Sequence, residues 1–205
     1  MFTTQNIRNM EIKTVGILLF EDVELLDFAG PLEVFGAADY VKEDGLYTIN
    51  TVAQQKEIRT SKGLLHVTAD HILSHQYYDL FIIPGGFGTR PIVKDPESLR
   101  RIDDTISQSK ITASVCTGAL ILAKLGHLKN MEVCSHHLSF DTLESIDPSV
   151  IVNRKARYID NDRFITSAGV SAGIDMSFHI LSRYFGQELS DTTRKYIEYF
   201  PESVT

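Results

Sequence analysis

Two cysteines, Cys116 and Cys134, are all that the 205 residues contain, too few for the disulfide framework of a small secreted domain. The N-terminus lacks the basic segment and short apolar stretch of a secretory signal. A reducing, cytoplasmic setting is therefore expected, with no bond between the two cysteines. No apolar run approaches the about 18 residues that a bilayer span needs, so no membrane contact is expected. Cations are scarce too: 20 Lys and Arg stand against 27 Asp and Glu, a net charge of −7, which argues against a nucleic-acid surface. Missing as well are the glycine patterns G-x-x-x-x-G-K-[ST] and G-x-G-x-x-G, so nucleotide binding has little support. With no internal repeat, low-complexity tract or linker, residues 13–201 read as one domain behind a leader of residues 1–12.

What is present is an alternation of strands and helices. Lys13–Phe20 and Asp79–Ile83 are continuous apolar runs of strand length, the pattern of strands covered on both faces. Leu46–Ala53 and Ile111–Val115 add two more strands, and Ile58–Thr68 reads as a short β excursion broken at Ser61-Lys-Gly63. Pro31 suits the first turn of a helix carrying Leu32, Phe35 and Ala38 inward. Glu97–Gln108 is amphipathic, with Leu99, Ile102 and Ile106 on one face. Helices are expected over 138–146, 174–185 and 188–200, and short strands over 150–153, 156–159 and 164–167, with Asp160–Asp162 as a turn. The pattern predicts an α/β, flavodoxin-like three-layer sandwich with a mainly parallel sheet and small β-hairpin insertions.

The reactive loops of such a fold gather at the carboxyl ends of the strands. Cys116 follows a strand and precedes Thr117-Gly118-Ala119, the layout of a strand-to-helix elbow that lifts a side chain from the sheet edge. Amides at a helix start favour thiolate over thiol, so a pKa below the ordinary value of about 8.5 is expected; a plain buried cysteine is the competing reading. Asp27, in the acidic loop Glu21–Asp27, is a candidate proton partner or a helix-start residue, and Glu24 is a second candidate or a solvated loop acid. Gly85 and Gly86 follow Pro84, where backbone amides could meet an anion or where a tight turn is simply made. His136 and His137 invite a base or a metal site, yet their spacing with Cys134 does not match that of zinc ligands.

Together Asp27–Phe35, Ile83-Pro-Gly-Gly86, Ser114-Val-Cys-Thr-Gly118, Ser135-His136 and Ser167–Asp175 resemble the ThiJ/PfpI superfamily, which is class I glutamine amidotransferase-like, and within it the isocyanide hydratase branch. The resemblance implies a homodimer acting on a small molecule, with Cys116 as nucleophile, Asp27 as its carboxylic partner and Thr117 in the same pocket. It places Gly85, Gly86, Gly169, Val170 and His136 among the substrate- or anion-binding positions and requires no metal or organic cofactor. In that branch a thiolate attacks the terminal isocyanide carbon, a carboxyl relays a proton, and water releases an N-substituted formamide. One departure stands out: Thr-Thr-His-Trp of the branch reads Cys134-Ser-His-His137 here. A glyoxalase- or deglycase-like enzyme and a non-enzymatic redox-sensing or small-molecule-binding module are the alternatives.

Overall fold

The first apolar run forms β1 (Thr14–Leu19), buried along nearly its whole length. In the computed structural model, which describes residues 11–43, 45–74 and 76–200, it is followed by α1 (Leu25–Lys42), β2 (Thr48–Ala53) and the hairpin β3 (Glu57–Arg59) and β4 (His66–Thr68). Next come β5 (His71–Ile72), β6 (Leu80–Ile83), α2 (Thr89–Ile92), α3 (Pro96–Gln108), β7 (Ile111–Ser114) and α4 (Gly118–Lys124). The chain closes with β8 (Glu132–Val133), α5 (Phe140–Ile146), β9 (Ile151–Val152), β10 (Tyr158–Asn161), β11 (Phe164–Ser167), α6 (Ala172–Phe185) and α7 (Gln187–Tyr196). Of the expected leader, only Glu11 and Ile12 are described, and Ile12 is buried in the core. His75 and Pro201 also lie outside the described residues.

Seven strands form one sheet in the order β10-β11-β7-β6-β1-β2-β5, parallel throughout except for the β10–β11 pair. This is the α/β, flavodoxin-like arrangement that the strand pattern predicts. The two shorter sheets, β3–β4 and β8–β9, are not part of its hydrogen-bonded ladder, although β8 packs against β10 and β11. Helices α1, α6 and α7 pack together, and α2 to α5 form the second group. Helix α3 starts one residue before the expected Glu97: Asp95 accepts from the Glu97 and Ser98 N–H groups, and Pro96 takes the first position, where no N–H is needed. No helix among the described residues is long and apolar enough to cross a membrane.

Among the boundaries that differ from the sequence pattern are those of α1, β10 and α7. Helix α1 starts at Leu25, so Pro31 sits inside it rather than in its first turn; the missing proline N–H leaves the Asp27 carbonyl without its helical donor. Strand β10 continues to Asn161, and the chain reverses at Asp162, whose φ of 64° suits an Asp in a tight turn. Helix α7 stops at Tyr196.

Candidate active site

Four strand ends meet at the carboxyl edge of the sheet. The loop after β1 is stitched to the loop after β6, with the Glu24 N–H donating to Gly85 O at 2.9 Å. The elbow after β7 is stitched to the end of β11, with the Cys116 N–H shared between Ser167 O at 3.2 Å and Ala168 O at 3.1 Å. Between them lies a cavity of about 160 Å³ lined by Glu24, Gly86, Phe87, Arg90, Cys116, Thr117, His136, Leu138 and Val170.

Cys116 occupies a sharp elbow. Its φ is 57°, a left-handed conformation that a non-glycine residue adopts only under constraint. The turn is closed by Gly118 N–H donating to Val115 O at 2.9 Å. Gly118 must be glycine because a Cβ there would run into the Ile83 and Pro84 carbonyls. Across the cavity Val170 is also left-handed, with φ 49°, a costly state for a β-branched residue. Both strained residues frame the thiol, whose pKa the nearby Thr117 and Val170 N–H groups pull downward.

Asp27 lies on the first turn of α1 and is fully buried. Its Oδ2 accepts the Gly85 N–H at 2.9 Å, while Oδ1 is buried with no partner of good hydrogen-bond geometry. The Cys116 thiol lies beside this carboxyl, close enough for each to alter the other's acidity. Burial pushes Asp27 up to about 7, helped by the charge of Glu24 and opposed by the Gly85 N–H, the thiol and the Val170 N–H. Burial, with the Asp27 charge second, pushes the Cys116 thiol up to about 12 against the pull of the Thr117 and Val170 N–H groups. The sequence led to the opposite expectation, a resting thiolate. The difference arises because α4 is a single short helix of seven residues, and its favourable end is outweighed by desolvation and a neighbouring carboxylate. What the arrangement offers is a thiol next to a base that titrates near neutrality, so attack by sulfur can be coupled to proton transfer.

Gly85 and Gly86 are at the site, but their amides are committed within the protein. Gly85 N–H serves Asp27, and Gly86 N–H donates to Thr117 Oγ1 at 2.9 Å. The Thr117 hydroxyl in turn donates to Gly86 O at 3.1 Å, and Thr89 Oγ1 donates to that carbonyl at 2.9 Å. Both amides hold the carboxyl and the threonine in place. Gly85 also lacks room for a side chain, since a Cβ would lie 2.5 Å from Thr117 N and 2.8 Å from Asp27 Oδ2.

His136 lines the cavity, with its ring laid across Gly169, whereas His137 is exposed, its ring tilted by 31° to that of His136 at 4.4 Å between centroids. Cys134 faces away into the core, where its thiol donates to Thr166 O at 3.1 Å. Among the described residues, no group of three or more His, Cys, Asp and Glu side chains is placed to hold a metal ion. Phe87, Arg90 and Leu138 on the rim escaped the sequence reading because an exposed residue after a turn carries no periodic signal. Thr89 and Ser139 escaped it too: a buried hydroxyl is recognised by its partner, not by its neighbours in sequence.

The profile of the DJ-1/PfpI family matches residues 13–183. Isonitrile hydratase of Pseudomonas putida is 26% identical over 187 residues, covering 91% of this chain and 78% of that protein. The HTH-type transcriptional regulator GbdR of Pseudomonas aeruginosa is 28% identical, over 89% of this chain and 50% of its own length. Glutathione-independent glyoxalase DJR-1.2 of Caenorhabditis elegans is 21% identical, over 82% of this chain and 89% of its own. Among solved structures, a ThiJ/PfpI family protein from Pseudomonas syringae superposes with a TM-score of 0.82 at 25% identity, over 96% of this chain and 78% of that one.

Proposed function

The chain belongs to the DJ-1/PfpI family, and from that premise we propose that it is a cysteine-dependent hydratase that adds water to an isocyanide to give an N-substituted formamide. The observation that carries the reading is the pairing of the buried Cys116 thiol with the Asp27 carboxyl, whose proton affinity is raised to near neutrality.

Sulfur attacks the terminal isocyanide carbon as its proton passes to Asp27, and Asp27 returns that proton to the same carbon. The C–S bond forms, the carbon gains hydrogen, and a thioimidate is left on Cys116. Water then adds to the thioimidate carbon, the nitrogen gains a proton, and collapse of the adduct breaks the C–S bond and restores the thiol. The sum is one isocyanide and one water consumed for one formamide.

Attack on an isocyanide builds charge on carbon, which a carboxylic acid neutralises, and requires no donors for an oxyanion at that step. Attack on an α-oxoaldehyde builds charge on oxygen and calls for such donors at once. Commitment of the Gly85 and Gly86 amides to Asp27 and Thr117 therefore favours the hydratase over the glyoxalase-like reading. A redox sensor would want an exposed thiol of low pKa, the reverse of the environment of Cys116.

The experiment is a parallel incubation with cyclohexyl isocyanide and with methylglyoxal, following formamide and lactate by NMR. Formamide from wild type and none from Cys116→Ala or Asp27→Asn is the expected result. Absence of formamide, or its persistence in Cys116→Ala, would overturn the reading, and lactate alone would move it to the glyoxalase class. Homodimerisation belongs to the same proposal, and sedimentation velocity tests it.

A further inference from the structure

The carbonyl of Cys116 lies just ahead of α4, yet among the described residues no N–H of that helix reaches it, because the first turn opens with the Leu120 N–H on Thr117 O at 3.1 Å. Its donor comes from a distant loop. The Ser135 hydroxyl lies 2.7 Å from Cys116 O, and both residues are buried. A second hydroxyl backs the first: Ser135 Oγ is 2.9 Å from Ser139 Oγ, which in turn is 2.7 Å from His136 O, a carbonyl that already accepts the Ser139 N–H at 2.8 Å. The Ser135 hydrogen goes to Cys116 O, since a buried carbonyl left without a donor is costly. Ser139 is left able to donate to Ser135.

Anchoring that oxygen decides where the other side of the peptide points. The Cys116–Thr117 peptide is trans, so its C=O and N–H lie in one plane and face opposite ways. With the oxygen held at Ser135, the Thr117 N–H is turned toward the sulfur, whose proton affinity it lowers. No oxygen among the described residues takes that N–H. An anchor is required here because Cys116 is left-handed, with φ 57°, a conformation that persists only where the surroundings hold it.

We propose that Ser135 is a positioning residue: by holding the Cys116 carbonyl, its hydroxyl keeps the Thr117 N–H aimed at the sulfur as the thiol proton passes to Asp27 and sulfur attacks. Negative charge gathers on sulfur in that step, and a hydrogen bond to a charged group is worth more than one to a neutral group. The serine acts through one peptide plane and not on the substrate. The inference rests on the proposed function only for the nucleophile, Cys116, and for its proton acceptor, and holds whatever the electrophile.

Two measurements test this without turnover. Cys116-Thr117 is the only Cys-Thr pair in the chain, so protein labelled with 13C-carbonyl cysteine and 15N-threonine gives a single HNCO signal, from this peptide. Ser135→Ala is expected to move its carbonyl 13C upfield, the sign of a lost hydrogen bond, and a carbonyl signal that stays in place would overturn the inference. Iodoacetamide alkylation at pH 8, where the thiolate is the reacting form, is followed at Cys116 by peptide mass and is expected to slow about 10-fold in Ser135→Ala and by a smaller factor in Ser139→Ala. Alkylation of Ser135→Ala as fast as wild type would sink it; should that variant fail to fold, the same outcome in Ser139→Ala would do so. If wild type does not hydrate isocyanides, the proposed function falls and these two measurements still decide the role of Ser135. With turnover in hand, Ser135→Ala is expected to lower kcat for cyclohexyl isocyanide about 10-fold with KM held, and to leave the midpoint near pH 7 that Asp27 sets where it is. A displaced midpoint would place the action of Ser135 on the carboxyl and end the proposal.

Discussion

Cys116 and Val170 line one cavity in the same left-handed backbone conformation, with φ of 57° and 49°, and the Val170 N–H pulls the pKa of the Cys116 thiol downward. Such a conformation costs an L-residue roughly 1–2 kcal/mol, and a branched Cβ makes it worse. Val170→Gly removes the strain but frees the backbone, at a cost of up to about 1 kcal/mol. Urea denaturation is expected to show a gain in stability of about 1 kcal/mol, with turnover falling because the backbone that lines the thiol cavity is no longer held in place. Val170→Ala keeps the strain and should show no such gain. A loss of stability in the glycine variant would mean that the valine packs its strain away.

Asp27 pays for its position with stability. Its folded pKa of about 7 lies above the unfolded value, so between about pH 4 and pH 7 the native state binds the extra proton. Stability from this group is therefore present at low pH and lost as pH rises through about 7. Asp27→Asn keeps an acceptor for Gly85 and removes the titration. Its stability relative to wild type is expected to be near zero at pH 4 and to grow to on the order of 4 kcal/mol at pH 8, read from paired denaturation curves. A constant difference across pH would place the raised proton affinity elsewhere.

The same carboxyl sets the expected rate profile. Ionised Asp27 is the form that can take the thiol proton, so kcat/KM for an isocyanide should rise through about pH 7 and level off above it. Removing the Asp27 charge should also lower the Cys116 pKa, because that charge is the second cause raising it. Iodoacetamide alkylation of Asp27→Asn is thus expected to be faster than that of wild type at pH 8, while hydration is lost. Slower alkylation would reverse the sign of the coupling.

Strand runs at β1 and β6, the amphipathic face of α3 and the strand-Cys-Thr-Gly elbow were all legible in the sequence, because each is a local pattern with a local cause. The meeting of Asp27 with Cys116 could be anticipated only through the parallel-sheet topology and the family motif. What could not be read was the sign of the thiol's pKa shift. A helix start is visible as sequence, whereas the burial that outweighs it depends on how four loops close over one atom. The partners of the Gly85 and Gly86 amides were hidden for a similar reason: they are set by which hydroxyl or carboxyl arrives from elsewhere.

The Thr117 hydroxyl accepts from and donates to the two polar groups of Gly86, so Thr117→Val would leave a donor without its partner. Such an orphaned group costs about 1–3 kcal/mol, whereas Thr117→Ser retains both bonds. Thermal denaturation is expected to rank wild type and the serine variant together, with the valine variant below them. Equal stability of valine and wild type would show that the loop after β6 is held by Thr89 alone.

Phe87 and Leu138 are large apolar side chains left mostly exposed on the rim, at 58% and 78%, and both line the thiol cavity. A substituent carried on the isocyanide nitrogen points away from the attacked carbon and would lie against them. Covering one such side chain stabilises by about 1.5–3 kcal/mol when burial is complete, and partial cover by a ligand gives less. Phe87→Ala and Leu138→Ala are each expected to raise KM for cyclohexyl isocyanide by about 10-fold with kcat unchanged, the pattern of binding shared by ground and transition states. Methyl isocyanide is too short to reach the rim, and its KM should not move. Equal effects on both substrates, or a fall in kcat, would show that the rim shapes the thiol–carboxyl pair instead of selecting the substituent.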